Sequence, residues 1–185
     1  MNIFILSEDP VEAAQMQCDK HVVKMIVESA QMLSTAHRIL DGKFELRPSK
    51  SGKRQVKYWK MDGSKENTFY KPVHMNHPCT VWARQNNENY IWLYVHFIEL
   101  CHEYQYRYKK DHSTYIKLAE VLGELPENIP KGSLTSFAFA MKHRASCVVE
   151  GNPVQSYRNY YVSKQNDFKM KWSKRPIPDW FKNAA

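Results

Sequence analysis

Apolar residues recur at helical spacing over several long stretches and alternate only briefly, which predicts a chain built mainly from α-helices. The clearest stretch is 19–40, DKHVVKMIVESAQMLSTAHRIL. Val22, Met25, Ile26, Ala30, Leu33, Ala36 and Leu40 fall on one side of a helical rod and are expected to face a core. Asp19 is placed to cap the first turn with its carboxylate. Gly42 is placed to end the helix in a left-handed conformation. His21, Lys24, Glu28, Gln31 and Thr35, spaced i, i+3, i+7, i+10 and i+14, line a second, polar side.

Other segments fill in around this helix. Residues 2–6 (NIFIL) are apolar and β-prone and predict a short extended arm packed on the core. Asp9-Pro10 is a cap and first-turn pair opening a short helix over 10–17. A short helix is expected to open at Pro78, and a second long one spans 87–109, with Ile91, Val95, Ile98 and Cys101 on its apolar face and Leu93, Phe97 and Leu100 widening it. Ser113 can cap a helix that Gly123 ends, 133–143 reads as a short helix, and Asn152-Pro153 starts another. Between the first long helix and Met75 the pattern changes. A strand-like run at 55–60 leads into an Asp62-Gly63 turn, with β-prone residues resuming near Thr68, Phe69 and Tyr70. The expected architecture is one compact, mainly α domain over residues 1–185, with 43–75 a basic loop or β-hairpin insertion.

Charge sharpens this picture. The net charge is +8, and it is concentrated. Segment 43–75 has nine Lys or Arg against three acids, a net +6, and 142–185 has the same balance. Two basic segments on a near-neutral remainder predict a defined surface for a polyanion. Aromatic residues make up 13% of the chain, and cations interleaved with rings suit a surface that binds nucleic-acid strands and stacks on bases; the partner expected is nucleic acid, double-stranded DNA first. The candidate contacts are Lys20, Arg54, Lys57, Trp59, His77, Arg84, Tyr157, Arg158, Tyr161 and Lys164. A solvated loop at 43–75, and a core role for Tyr157 and Tyr161, fit the same spacing. Cys18, Cys79, Cys101 and Cys147 form no CxxC pair, and His74, His77 and Cys79 lack a fourth ligand, so neither metal nor cofactor is expected. No run of 18 apolar residues and no Lys/Arg-rich leader is visible, so no membrane partner and a cytoplasmic location are expected.

Glu28 beside Lys24 and His21 can be a general acid/base with cationic neighbours, or one member of a solvated i,i+4 pair. The string Asp19, His21, Glu28 resembles the first helix of the pyrimidine-dimer DNA glycosylase family of phages and bacteria, the phage endonuclease V type. Cys79-Thr80-Val81-Trp82 ahead of the segment holding Phe97-Ile98-Glu99-Leu100-Cys101, and Tyr157-Arg158-Asn159-Tyr160-Tyr161 near the C-terminus, extend the resemblance over about two-thirds of the chain. It implies an N-glycosylase, with or without strand-nicking lyase activity, on a damaged or modified base. It also implies that Glu28 is catalytic and faces the α-amine of the chain's own N-terminus. An α-amine, with an ordinary pKa of roughly 8 against roughly 10.4 for Lys, is the better nucleophile at neutral pH.

The chain departs from the phage members in two places. They expose a small residue followed by Arg, whereas this chain begins Met1-Asn2-Ile3; Asn is too bulky for efficient Met removal, so the Met1 amine itself is expected to serve. The Arg residues that flank the family's Glu are absent, with Val27 and Gln31 around Glu28. A modified base other than an ultraviolet dimer fits equally, and Lys24 is an alternative amine. Two other readings use the same features: a non-catalytic nucleic-acid-binding protein, and an enzyme on a nucleotide or small phosphorylated substrate.

Overall fold

A computed structural model describes residues 1–184. Ten α-helical segments and strands follow in order: α1 (Pro10–Gln15), α2 (Asp19–Asp41), β1 (Lys43–Pro48), β2 (Gln55–Lys60), α3 (Lys65–Thr68), α4 (Pro78–Ala83), α5 (Asn87–Tyr108), α6 (Ser113–Leu122), α7 (Pro153–Ser163) and α8 (Asp179–Lys182). Turns of 3₁₀ helix lie at Lys142–Cys147 and Lys164–Asn166. The only strands among the described residues form one antiparallel pair, and the fold is mainly α, as the periodicity predicts.

The two long helices form the centre. α2 packs along α5, α1 lies on α5, and α4 and α6 lie against α2. The predicted core residues of α2 from Val22 to Ala36 are all buried, and Leu40 is half-buried. Both expected caps differ. Cys18 occupies the N-cap position without a side-chain bond. The Asp19 carboxylate turns outward instead and accepts from Arg107, Ser173 N–H and the Ser173 hydroxyl. Gly42 has φ −80 and ψ 150, an extended conformation open to any residue. Space is what requires glycine here: a Cβ would lie 2.4 Å from the Arg38 carbonyl oxygen and 3.1 Å from the Trp59 Cβ.

Other local expectations are corrected in the same way. On α5 the expected Leu93, Phe97, Leu100 and Cys101 are buried, Val95 and Ile98 are half-buried, and only Ile91, 39% exposed, turns to solvent among the residues expected on that face. The buried sector also takes in Tyr90, Asn89, His96, Glu103 and Arg107, the last four with polar partners, so apolarity alone marked only part of it. His112, not Ser113, caps α6, its Nδ1 accepting from Thr114 N–H at 3.1 Å. Residues 133–141 are irregular, and Lys142–Cys147 alone is a 3₁₀ turn. Strand β2 is where it was expected, but its partner precedes it: Lys43 pairs with Lys60 and Pro48 with Gln55. The Asp62-Gly63 turn leads into the single helical turn of α3, and Phe69 and Tyr70 are not strand.

Arg38 ties the insertion to the core. It is fully buried. Its guanidinium donates to the carbonyls of Trp59, Glu66, Phe69 and Tyr70 and to the Glu66 carboxylate. Thr35 then bonds Val73, so the return limb of the insertion runs back along α2. The C-terminal segment crosses the start of α2 in turn. Asp19 N–H donates to Lys171 O at 2.8 Å, Trp172 Nε1 donates to Met16 O at 2.8 Å, and Arg175 pairs with Glu103 at 2.9 Å. No helix among the described residues is long and apolar enough to cross a membrane.

Candidate active site

The N-terminal arm and the middle of α2 meet. Ile3, Ile5 and Leu6 are wholly buried, so the arm is anchored by apolar contact although it pairs with no strand. Asn2 shapes its start. The Asn2 side-chain oxygen accepts from the N–H groups of Ile3 (2.8 Å) and Phe4 (3.0 Å), a local turn that only a short polar side chain can make. Phe4 takes the left-handed conformation, with φ 53. The Asn2 amide group donates to Ala140 O at 3.2 Å. This leaves the Asn2 backbone N–H pointing at α2, where it donates to Glu28 Oε2 at 2.9 Å.

The Met1 α-amine lies 3.7 Å from the same Glu28 oxygen. Lys24 Nζ lies 3.2 Å from the other oxygen, Oε1. The Met1 side chain is 3% exposed, yet the residue as a whole is only half-buried. What remains open to solvent is therefore its main chain, which includes the amine. A mostly buried carboxylate thus faces one amine directly and one ammonium from a turn away. Such a carboxylate can take a proton from the amine and return it to a reacting oxygen within the same space.

His21 stands one layer deeper. Its ring stacks on Phe4 with centroids 4.6 Å apart and meets Tyr161 and Phe168 edge-on. Burial first, then the charges of Lys164 and Lys24, lower its pKa to about 3. It is a neutral ring that seats the arm, not the cationic neighbour of Glu28 that the spacing suggested. Burial likewise lowers His37 and His96 to about 4. These three groups bind protons far more readily in the unfolded chain, where their pKa is near 6.5. Stability present above pH 6.5 is therefore lost progressively as the pH falls toward 4. Melting temperature is expected to drop over that range, and to drop less steeply in His21→Phe, which keeps the stack and removes one titrating group. Parallel pH profiles for the two proteins would show that His21 titrates normally.

The rim of the site is cationic and aromatic. Lys164 Nζ sits 4.7 Å over the Tyr160 ring and 5.9 Å over Phe4. Lys20 is exposed with its Nζ 4.7 Å over Phe168. His77 accepts from Cys79 N–H through Nδ1 at 3.3 Å. Burial, then the nearby N-terminal charge and His74, depress the His77 pKa, with Glu28 opposing. Neighbouring Cys79 is pushed up to about 12 by burial, so it offers no thiolate beside the amine.

Other expected contacts are distributed differently. Tyr157 and Tyr161 are wholly buried. Tyr157 donates to Ala138 O at 2.6 Å, and Tyr161 accepts from Cys18 N–H at 2.8 Å. Both belong to the core and leave the interface expected for them; half-buried Tyr160 is the ring of α7 that reaches the rim. Arg158 donates Nε to Leu6 O at 2.9 Å and lies over Trp180, and half-buried Arg84 donates to Thr80 O at 2.8 Å, so both brace the fold. Arg54 and Lys57 are exposed and Trp59 is half-buried on the hairpin, beyond the C-terminal end of α2. Sequence reasoning missed Asn2, although a turn-forming residue beside the terminal amine was a visible signal. It also missed Ala140, a backbone contact that carries no signal at all.

The family model described as pyrimidine dimer DNA glycosylase matches residues 1–116. No curated protein and no solved structure matches.

Proposed function

This chain belongs to the pyrimidine dimer DNA glycosylase family, and from that premise we propose that it excises a damaged or modified base through an imine formed on the Met1 α-amine, with Glu28 moving the protons. The family is one of DNA repair glycosylases, and its substrate is DNA. The observation that carries the finer reading is the 3.7 Å approach of the amine to Glu28 Oε2. The amine, unprotonated, attacks C1′ of the target nucleotide. A new C1′–N bond forms, the glycosidic C1′–N bond breaks, and the base leaves with the bonding pair and takes up a proton. Glu28 takes the surplus proton from the attacking nitrogen. It gives that proton to the ring oxygen as the C1′–O4′ bond opens, which leaves a C1′=N imine carrying positive charge. Restored as a carboxylate, Glu28 can remove a C2′ proton, and the 3′ phosphate then departs with the C3′–O bonding pair. Water hydrolyses the imine and frees the amine.

The Asn2 N–H bond fixes the carboxylate for these transfers, and Lys24 offsets charge beside it. Lys20, Lys164, His77 and Tyr160 would hold the duplex around the site, in the cytoplasm where such DNA is met. The test is borohydride trapping on duplexes that carry an abasic site, a pyrimidine dimer or an oxidised pyrimidine, with the adduct mapped by mass spectrometry. The adduct is expected on Met1. One added N-terminal residue moves the amine by about 3.5 Å and is expected to abolish trapping while binding persists. An adduct on Lys24 would transfer the nucleophile's role to that residue. No adduct on any duplex, with binding intact, would overturn imine chemistry.

A further inference from the structure

The β1–β2 hairpin has two unlike faces. In its register, Glu45, Arg47 and Tyr58 share one face, and Phe44, Leu46, Lys57 and Trp59 share the other. The middle of the first face is engaged, while Lys43 and Lys60 at its root are exposed. Tyr58 is buried, its hydroxyl donates to Glu66 at 2.7 Å, and the Arg47 guanidinium lies 3.5 Å above its ring. The second face has no partner. Phe44 is 52% exposed and Leu46 is 59% exposed, with Phe44 braced edge-on by Trp59 at 5.2 Å. Large apolar side chains set side by side in solvent on a rigidly held ribbon mark a contact surface.

The charge around that face says what contacts it. Lys57 lies on that face, and Lys50, Lys53 and Arg54 lie in the turn at its end; all four are exposed, and none forms an ion pair among the described residues. An apolar centre bordered by free cations matches duplex DNA, whose phosphates flank a groove floored by base edges and stacked steps. A two-stranded ribbon is also of a size to enter the major groove. The hairpin root follows Gly42, 14 residues beyond Glu28 on the same helix. That is about 21 Å along the axis, which on a duplex laid parallel to α2 would correspond to about six base-pair steps at 3.4 Å each.

We propose that the hairpin is a second DNA-contacting element, pressing Phe44 and Leu46 against the bases of the duplex about six steps from the excised nucleotide. Its cations would hold the two flanking backbones there. The proposal rests on DNA being the substrate but not on the chemistry at Met1. A groove contact at this distance would fix the duplex on the enzyme and read its form, favouring double strands over single.

Binding experiments test it without turnover. Duplexes with one tetrahydrofuran abasic analogue, which lacks the C1′ hydroxyl and cannot form the imine, would carry 2-aminopurine at successive positions on either side, and fluorescence and affinity would be measured with the full chain. The wild type is expected to raise fluorescence about five to seven steps from the abasic site, by the spacing above. Phe44→Ser/Leu46→Ser is expected to lose that signal and to weaken duplex binding by about tenfold or more. Lys53→Gln/Arg54→Gln is expected to lower the slope of log affinity against log salt by about two. Leu46→Lys separates an apolar contact from a purely electrostatic one: weaker binding and a lost signal support the proposal, and tighter binding overturns it. Equal affinity and fluorescence in wild type and Phe44→Ser/Leu46→Ser would also overturn it and would leave the Met1 reading untouched. A wild type that binds no duplex would overturn both.

Discussion

Glu28→Gln is expected to reduce single-turnover base excision by about 10²–10⁴-fold while duplex affinity is retained. The substitution keeps the size of the side chain, and its amide oxygen can still accept the Asn2 N–H that Glu28 accepts at 2.9 Å. The arm therefore stays in place. What is lost is the proton acceptor 3.7 Å from the Met1 amine and the charge opposite Lys24. Removing a negative charge from a cationic rim cannot weaken a polyanion's binding through electrostatics, so affinity should hold or rise. Rapid-quench cleavage and fluorescence anisotropy on one duplex measure the two quantities separately. Full excision by Glu28→Gln would exclude the carboxylate as the proton carrier. Loss of binding in step with excision would instead assign Glu28 to substrate positioning.

Arg38→Met is expected to destabilise the protein by about 3–5 kcal/mol, a fall in melting temperature of roughly 10 °C for a chain of this size. Methionine approximates the volume of the arginine but supplies none of its donors. Four backbone carbonyls and the Glu66 carboxylate would each lose a bond inside the protein. Burial opposes ionisation of Glu66, yet Arg38, Tyr58 and Met61 N–H hold it down to about 2. Its stabilising contribution is complete above its ordinary value of 4.5 and is lost only as the pH falls toward 2. Arg38→Met should raise that pKa and bring the acid limb to higher pH. Arg38→Lys is expected to recover little, because one ammonium cannot reach partners spread around a planar fork. A melting temperature within about 2 °C of wild type would mean that the insertion is held by its contacts other than those of Arg38.

Much of this fold is legible in the residues because it is local. The repeat of Val22, Met25, Ile26, Ala30 and Leu33 locates α2, and Asp9-Pro10 and Asn152-Pro153 locate two helix starts whose cap bonds are present. Helix faces built from mixed residues were harder. The buried side of α5 includes His96, Glu103 and Arg107, and no hydropathy pattern marks a histidine or an ion pair as interior. The hairpin was found by strand propensity, but its partner was assigned downstream. The turn signal at Asp62-Gly63 is stronger in sequence than the Ser49–Arg54 turn that closes it. Tyr157 and Tyr161 share helical spacing with Tyr160, and periodicity could not say which ring is turned outward. Glu28 was singled out by spacing and by resemblance. Its distance from Met1 depends on a contact spanning most of the α2 approach, which only the folded chain displays.

The seat of the arm bears on the order in which the molecule is made. Residues 2–19 are gripped by partners 138 to 156 positions later: Ala140 holds Asn2, Arg158 holds Leu6, Tyr161 holds Cys18 and Trp172 holds Met16. During translation, at roughly 5–20 residues per second, the arm leaves the ribosome first and waits on the order of ten seconds for the residues that fix it. Until then the arm has only its contacts with α2 and α5 and lacks these four bonds. A C-terminally truncated chain would carry both groups without the bonds that seat the arm from the far end of the sequence.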